Sequence, residues 1–372
     1  MILAVESSCD ESALALFDPA RGLAGEWIHS QIALHEQHGG VVPDLAAREH
    51  LRHLAPLVVR AAAAGGISRG GARGPHARSD VDSGTAGFSA PGYSASGSLA
   101  SLVTSIAVTF GPGLAPCLAL GVAAAKALAL AWNKPLLGVN HLRGHVWSTF
   151  IPLHASDPTM FATRAEKLFP HLALLVSGGH TLLAEVGADR SVTIISSTRD
   201  DAAGEALDKG AKLLALGYPG GPLIEQRSRG GRADAFDFPR GLDRKSELDF
   251  SFSGLKTSLR YTLEKMPDAA DRVSDLCASY QEAVVDALAT KTRRALAAGA
   301  YRSVGLSGGV ARNGPLRARI AEEARRARAE FLPVDPEHSG DNAGMIAFAA
   351  WMDPGAVNRE GWGLGIEPSL GL

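Results

Sequence analysis

The chain has 372 residues, a length that suits two domains better than a single core. Its formal net charge is −2, so the overall charge excludes general attraction to nucleic acid or membranes, and RNA contact would require a local basic patch. Three widely spaced cysteines favour a reducing compartment over a disulfide framework. Residues 1–5 read as a strand without a targeting signal, which predicts a cytoplasmic protein.

Two segments predict β-hairpins. Apolar residues 2–5 and 13–17 flank a polar turn with the sequence ESSCDES, and apolar residues 172–176 and 182–186 flank a glycine turn with the sequence SGGHT. Because these hairpins lie about half a chain apart, they predict a duplicated α/β architecture with covered sheets. A (β/α)₈ barrel would need eight evenly spaced units, which the sequence does not contain.

Residues 62–101 are rich in Gly, Ser, Ala and Arg, which predicts a disordered surface insertion. Residues 106–110 then predict a strand, and the apolar residues 114–132 a buried helix instead of a membrane span, since Pro116 and Lys126 interrupt them. A strand at 136–139 precedes a helix with two histidines. Helical periodicity recurs at residues 202–216, 283–297, 316–328 and 345–351.

His141 and His145 are four residues apart, so both imidazoles lie on one helix face and could bind one metal ion. Asp341 precedes a predicted helix, and it could either cap that helix or supply a third ligand. Two histidines and a carboxylate leave positions open for substrate oxygen. No glutamate follows His141, so the zinc-protease HExxH motif is absent. Two surface histidines without a metal are the alternative interpretation.

Glycine turns follow two apolar strands, at residues 177–180 and 307–310. Glycine allows backbone N–H groups to approach a phosphate or an adenosine, although such turns also occur without any ligand. Neither turn matches a P-loop or a dinucleotide-binding motif. Both therefore remain candidate nucleotide contacts.

Several carboxylates begin the helix predicted at 202–216. Glu205 and Asp208 are three residues apart and could face one cleft, or the acidic residues could simply favour the helix N-terminus. Two arginine-rich segments are candidate RNA contacts. One is residues 227–245, with Phe236 and Phe238 between the basic residues, and the other is residues 317–328, which could equally be a charged helix face.

Taken in order, these motifs resemble those of the TsaD family, the tRNA threonylcarbamoyladenosine synthases, over nearly the whole chain apart from residues 62–101. The matching segments are ESSCDE at 6–11, His35 with GGVVP at 39–43, GPGL at 111–114, NH at 140–141 with GH at 144–145, LVSGGHT at 175–181, DDAAGE at 200–205, PGGP at 219–222, FSFSGLK at 250–256, SGGV at 307–310 with Asn313, and DN at 341–342.

The resemblance implies an actin/hexokinase/Hsp70-like (ASKHA) fold of two duplicated RNase H-like domains with the active cleft between them. We expect one lobe from residues 1–150 plus 341–372 and a second from residues 151–340. The implied reaction transfers the threonylcarbamoyl group from threonylcarbamoyl-AMP to N6 of the adenosine 3′ of the anticodon, in tRNAs that read codons beginning with A.

The resemblance also implies the site residues. His141, His145 and Asp341 would hold one divalent metal ion per subunit, iron foremost and zinc as the alternative. The residues expected to bind the adenylate are Leu175, Val176, Ser177, Gly178, Gly179, Asp208, Gly221 and Asn313. The candidate bases for the N6 proton are Asp10, Glu11 and Asp208. Bacterial relatives work with a TsaB-type paralogous subunit and a TsaE-type ATPase, and no membrane partner is implied.

The sequence departs from the family pattern at three positions besides the insertion. Arg143 stands where Glu is frequent, His38 where Tyr is common, and Asp44 where Glu is common. A positive charge at Arg143 could weaken cation binding or engage an RNA phosphate. The rival functions are an ATP-dependent kinase of the same fold, which His ligands disfavour, a metalloprotease, and a catalytically inactive scaffold.

Overall fold

The computed structural model describes residues 1–64, 98–244, 247–266 and 269–372. Within these ranges the strands are β1 Ile2–Glu6, β2 Glu11–Asp18, β3 Gly22–Ser30, β4 Ser105–Gly111, β5 Leu136–Asn140, β6 His171–Val176, β7 Thr181–Val186, β8 Val192–Ser197, β9 Ser303–Ser307 and β10 Glu330–Pro333. The α-helices are α1 Ile32–Glu36, α2 Pro43–Ala64, α3 Leu99–Leu102, α4 Ala115–Trp132, α5 His141–Ser148, α6 Ile151–Ser156, α7 Phe161–Glu166, α8 Ala203–Leu213, α9 Gly220–Ser228, α10 Ser253–Glu264, α11 Val273–Ala298, α12 Gly314–Ala327 and α13 Ala343–Met352.

The described chain divides into two compact units. The first comprises Met1–Ala33, Val41–Ala162 and Asp341–Leu372, and the second Leu34–Gly40 and Thr163–Gly340. Each contains a five-stranded sheet among the described residues, with the order β3-β2-β1-β4-β5 in the first and β8-β7-β6-β9-β10 in the second. The two orders are equivalent. Each runs from the third strand of its unit through the second and the first to the fourth and the fifth. This duplication confirms the predicted actin/hexokinase-like fold.

In each unit an antiparallel hairpin continues into parallel strands. In the first, β1 pairs with β2 through Leu3↔Leu16 and with β4 through Leu3↔Ile106. In the second, β6 pairs antiparallel with β7 and parallel with β9. Parallel neighbours end at the same sheet edge, so the turns after β1, β4 and β5 are close together, as are those after β6 and β9.

Each unit has its own apolar core. In the first, Val5 and Val108 of the sheet pack with Leu57 of α2 and Val122 of α4. In the second, the α11 side chains, among them Leu276 and Val284, pack with the central strand β6. Both central strands are buried along their whole length, because helices cover both faces of each sheet.

Within the described residues, α4 is the one helix long and apolar enough to cross a membrane. Helices in the cores of soluble proteins can have the same features. About 33% of α4 is buried, and Leu130 is 69% exposed, whereas Val122 and Ala125 belong to the first core. The prediction of a buried helix therefore holds for one face only.

Two further sequence predictions can be located on the structure. Residues 65–97, most of the predicted insertion, lie outside the described residues, whereas its flanks are helical in α2 and α3. Cys9, Cys117 and Cys277 are all described, and none forms a disulfide, as the sequence predicted.

Burial gives the second unit a pH-dependent stability. His171 opens β6, is fully buried and bonds through Nδ1 to Ser303 Oγ at 2.7 Å, and burial lowers its pKa from 6.5 to about 3. The folded state therefore keeps His171 neutral, and its stability falls as the pH drops below 6.5, where the unfolded chain takes up the proton. At pH 5.5 the loss is about 1.4 kcal/mol relative to pH 7.5.

We expect His171→Asn, which does not titrate, to remove this part of the pH dependence. The measurement is urea unfolding of both proteins at pH 7.5 and pH 5.5. The wild type should lose more stability on acidification than the variant, and equal losses would contradict the assignment.

Candidate active site

The two histidines predicted as metal ligands lie at the start of α5, directly after β5. Asn140 caps this helix, because its side chain accepts a hydrogen bond from the Leu142 N–H at 2.8 Å, and it also donates to the Gly371 carbonyl at 2.6 Å. His141 and His145 project from one face of α5, with ring centroids 4.8 Å apart and planes at 90°. Both residues are at least 95% buried.

Asp341 completes this cluster from a segment two hundred residues away in sequence. Its Oδ1 atom lies 3.0 Å from His145 Nε2 and 3.5 Å from His141 Nε2. Donor atoms around a tetrahedral ion with bonds of about 2.0–2.1 Å are separated by roughly 3.3 Å, so the three side chains fit one ion without backbone movement. The structure thus brings the three predicted ligands together.

Asn342, not Asp341, caps α13. The Asn342 side chain accepts from the Met345 N–H at 2.8 Å. The interpretation of Asp341 as the helix cap is therefore wrong, and its neighbour fulfils that role. The cap fixes the backbone at Asn342 and in this way holds the adjacent Asp341 carboxylate towards α5.

Gly144 explains how α5 and α13 approach so closely. A Cβ atom there would lie 2.8 Å from Ile346 Cδ1 and 3.1 Å from Met345 Cγ. Since glycine has no side chain, the two helices pack tightly, and the two histidines on α5 come within reach of the carboxylate that precedes α13.

Glu6 is a functional residue that the sequence reasoning missed. It ends β1, is fully buried, and its Oε2 lies 3.2 Å from His141 Nδ1, while Ser8 Oγ approaches the same nitrogen at 3.2 Å. Thr109 Oγ1 also donates to Oε2. These contacts direct His141 Nε2 towards Asp341. The available signal was a carboxylate at the end of an otherwise apolar strand.

The electrostatics follow from this burial. Desolvation would lower the pKa of His141, but Asp341 and Glu6 outweigh it and raise that pKa to about 9. Burial likewise opposes ionisation of Glu6, yet His141 lowers the pKa of this carboxyl below its usual value. Burial lowers the pKa of His145, which stays neutral. In the metal-free protein one imidazolium therefore balances charge between two carboxylates.

The candidate base Asp10 lies in the turn between β1 and β2, and Glu11 is the first residue of β2 in the same unit. Glu11 Oε1 accepts from Ser30 Oγ at 2.8 Å. Burial first, then the negative charges of Asp10 and Asp341, raise the pKa of the Cys9 thiol well above its usual value. Asp10 and Asp341 therefore act on the same half-buried thiol, which stays protonated and unreactive.

In the second unit, the expected adenylate contacts surround the turn after β6. Leu175 and Val176 are buried in the strand, so their side chains face the core. Gly178 and Gly179 are exposed, and a Cβ on either would meet no atom within 4 Å. At these two glycines the turn therefore offers its backbone to a ligand.

The second glycine turn lies against the first. Gly308 has φ +89°, and a Cβ there would lie 2.3 Å from the Val176 carbonyl oxygen, so this position requires glycine. The α8 N-terminus adjoins the same turn, because the Gly204 N–H donates to the Ser177 carbonyl at 3.2 Å. Free backbone groups and a helix N-terminus at one sheet edge suit an anionic group.

Asp208 and Glu205 do not act together. Asp208 Oδ1 accepts from the Gly220 N–H at 2.7 Å and so ties α8 to the start of α9, beside Gly221. Glu205 is exposed and pairs with Lys209 at 2.9 Å. Asp208 therefore holds the start of α9, whereas Glu205 forms an ion pair on the surface of α8.

Asn313 links α9 and α12 from a buried position. Its Oδ1 accepts from the Leu316 N–H at 3.0 Å, and its Nδ2 donates to Gln281 Oε1 at 2.8 Å and to Glu225 Oε2 at 3.3 Å. Its side chain therefore fixes the start of α12. Together with the Asp208 bond, this connects the residues expected to surround an adenylate.

The motif containing Asp200 has a local structural role that the sequence did not reveal. Asp200 accepts from Ser251 Oγ at 2.6 Å, from Phe252 N–H at 2.7 Å and from Ser253 N–H at 3.1 Å. These bonds outweigh the effect of burial and lower the pKa of Asp200. The carboxylate thus anchors the FSFSG segment at the start of α10.

The aromatic rings of the first arginine-rich segment are not available for base stacking, and most arginines of the second pair with carboxylates. Phe238 is buried in the second core, and Phe236 packs against that core, so neither offers a ring to an unstacked base. Lys245 lies outside the described residues. In α12, Arg319 pairs with Glu282, while Arg325 and Arg326 pair with Glu322 of their own helix. A charged helix face accounts for that second segment.

Arg143 pairs with Asp353, which also lies 3.3 Å from Trp147 Nε1. The pair is largely shielded from solvent, with 19% and 12% of the two side chains exposed. Asp353 therefore offsets the positive charge that this unusual residue brings to the metal helix. The geometry favours neither weakened cation binding nor contact with an RNA phosphate.

The duplicated sheets and the His–His–Asp cluster together define a two-unit α/β protein with a site that could hold a metal ion. The family model for TsaD, tRNA N6-adenosine threonylcarbamoyltransferase, matches residues 22–70 and 94–348. The chain belongs to this family. The gap in the match, residues 71–93, falls inside the segment that the sequence marked as extra.

Two relatives carry the same description. The tRNA N6-adenosine threonylcarbamoyltransferase of Anaeromyxobacter sp. (strain Fw109-5) is 41% identical over 100% of this chain and 99% of its own length. That of Aromatoleum aromaticum (strain DSM 19018 / LMG 30748 / EbN1) is 40% identical over 97% and 93%. T. kodakarensis HypF has a similar fold, with a TM-score of 0.51 and 14% identity over 97% of this chain and 49% of that one.

The family fixes the activity class. The chain is an acyltransferase of tRNA threonylcarbamoyladenosine (t6A) synthesis, as the sequence motifs predicted. The kinase and metalloprotease alternatives are not favoured, and tRNA as substrate fits the family.

The capping role of Asn342 can be tested by substitution. We expect Asn342→Ala to lower the free energy of unfolding by about 1 kcal/mol, because it removes the helix cap. Asn342→Ser should retain more of the stability, since a serine hydroxyl can also accept the Met345 N–H bond. Urea unfolding of both variants tests this, and equal destabilisation by the two changes would contradict the assignment.

Proposed function

We propose that the chain transfers the threonylcarbamoyl group from threonylcarbamoyl-AMP to N6 of the adenosine 3′ of the anticodon, in tRNAs that read codons beginning with A, and releases AMP. The observation that carries the site assignment is the convergence of His141, His145 and Asp341 in a protein of this family. The N6 amine is a weak nucleophile, so orientation of the two substrates and polarisation of the acyl oxygen contribute most to the rate.

The proposed ligands of one divalent metal ion are His141 Nε2, His145 Nε2 and the Asp341 carboxylate, with iron the first candidate and zinc the alternative. Such an ion, when bound, polarises an acyl or threonyl oxygen as a Lewis acid. Glu6 and Ser8 contact His141 Nδ1 and so keep its other nitrogen directed towards Asp341. Asn140 and Asn342 fix the helices that carry the ligands.

For the AMP moiety we propose the sheet edge of the second unit. The backbone from Leu175 to Gly179 would approach the nucleotide, with the α8 N-terminus favouring its phosphate. Gly221 would contact it at the α9 N-terminus. Asp208 and Asn313 already bond within the protein, and from these positions they would hold the binding surface in shape.

Asp10 is the proposed base for the N6 proton, because it lies in the β1–β2 turn of the unit that also carries the His–His–Asp cluster. Asp208 lies in the second unit, where it accepts a hydrogen bond from the Gly220 N–H and holds the start of α9. Glu11, the residue after Asp10, accepts from Ser30 Oγ and is the alternative. A deprotonated Asp10 carboxylate would accept the proton as the new C–N bond forms and AMP leaves.

The proposed setting is the cytoplasm, with a TsaB-type paralogous subunit and a TsaE-type ATPase as partners and no membrane. We place the partner contact on α2, where Leu51 and Val59 are 69% and 68% exposed and their burial by a partner would be favourable.

The central test uses purified protein, threonylcarbamoyl-AMP, unmodified tRNA and the partner-type proteins, with t6A measured by mass spectrometry. We expect His141→Ala and Asp341→Ala each to lower the initial rate roughly 10³-fold, since several kcal/mol of transition-state stabilisation are lost. Asp189→Ala is the matched control, because this exposed carboxylate bonds to Ser191 within its own surface turn. Wild-type rates for both ligand variants in chelator-treated buffer would overturn the proposed metal role.

A second test concerns the base. We expect Asp10→Asn to lower the rate about 10²–10⁴-fold without weakening tRNA binding. Glu11→Gln and Asp208→Asn serve as comparisons and should retain most of the rate. If Asp10→Asn keeps the wild-type rate, Asp10 is not the base.

A further inference from the structure

A second cluster of metal-ligating side chains occurs in the first unit and takes no part in the reaction described above. It consists of His29, near the end of β3, and of Glu49 and His53, four residues apart on α2. One ligand atom from each lies within 4.8 Å of the others. The cluster is half-buried, with 22%, 15% and 34% of the three side chains exposed.

The donor atoms converge on one point. Glu49 Oε2 lies 3.2 Å from His53 Nε2 and 3.9 Å from His29 Nε2. These separations bracket the roughly 3.3 Å expected between donors on a tetrahedral ion with bonds of about 2.0–2.1 Å. The donor atoms are therefore close enough to share one ion once the two imidazole planes tilt apart.

The imidazole rings also constrain one another's charge. Their centroids are 3.4 Å apart and their planes are within 15° of parallel. Two imidazolium rings at this separation would repel each other, so the stack favours neutral rings. Neutral imidazoles are the form that binds metal ions.

We propose that His29, Glu49 and His53 form a second binding site for a divalent transition-metal ion that prefers imidazole ligands, such as zinc or cobalt. Two histidines and one carboxylate match this class of cation, with water in the remaining positions. Because a metal lies in the plane of a ligating ring, binding would open the ring stack. The partly exposed His53 has the freedom to tilt.

Such an ion would connect two elements that are not neighbours in sequence. β3 is an edge strand of its sheet, and α2 packs beside it and ends at the flank of residues 65–97. A link from His29 to two positions on α2 would restrain this helix against the strand. A rise in the stability of the first unit on metal binding is the expected consequence.

Arg52 allows a test of how the charge of Glu49 contributes to cation binding. It pairs with Glu49 and partly neutralises the carboxylate that would face the cation. Arg52→Ala leaves all three proposed ligands in place. It should therefore keep the site and tighten zinc binding, whereas loss of a ligand should weaken it.

The experiment is equilibrium dialysis of the full chain against zinc alone, with bound metal measured by atomic emission. We expect two zinc ions per chain in the wild type, one in His53→Ala and in Glu49→Gln, and one in the His141→Ala/His145→Ala variant. At the second site, loss of His53 should weaken binding at least about tenfold. The Tm increase with zinc in the His141→Ala/His145→Ala background should disappear on adding His53→Ala.

His38→Ala is the matched control, because His38 is an exposed histidine outside the cluster. It should leave both stoichiometry and affinity unchanged. The proposal is overturned if the His141→Ala/His145→Ala variant binds no zinc, or if His53→Ala and His38→Ala behave alike. Neither result depends on the acyltransferase assay, so this site and the proposed catalytic metal can fail separately.

Discussion

The buried contact between Glu6 and His141 is the interaction on which the rest of the site depends. A fully buried carboxylate is costly unless it is paired and hydrogen-bonded, and here His141, Thr109 and the Ser8 N–H satisfy it. The pairing exists because β1, β4 and β5 end at one sheet edge, so that a strand-terminal Glu meets a helix-initial His. It leaves the other nitrogen of His141 facing Asp341.

The two units use the same sheet order for different chemistry. In the first, the sheet edge carries polar side chains that suit a cation, with the Asp341 carboxylate close to two imidazoles. In the second, the corresponding edge carries glycine turns, where Gly308 packs against the backbone of Val176 and side chains are excluded. A duplicated architecture thus presents side-chain ligands in one unit and backbone groups in the other.

Several features of the sequence proved to be structural. Asp200 anchors the segment before α10, Asp208 ties α8 to α9, and Asn313 caps α12, so these motif residues shape the surroundings of the proposed adenylate site. Phe238 looked available for base stacking but belongs to the core. Local composition could not distinguish these cases, because burial depends on which distant elements pack over a residue.

The sequence by itself determined the hairpins, the duplicated α/β pattern, the family and the pair of histidines on one helix face, since each depends on short-range periodicity or on motifs in fixed order. Tertiary structure decided which groups meet. It placed Asp341 beside α5, gave the capping role to Asn342, paired Arg143 with Asp353, and joined His29 to Glu49 and His53. Most of these contacts join residues far apart in sequence, and Asp341 and Asn342 are neighbours whose side chains point in different directions. Sheet register and helix packing determine such contacts, and neither can be read from local sequence.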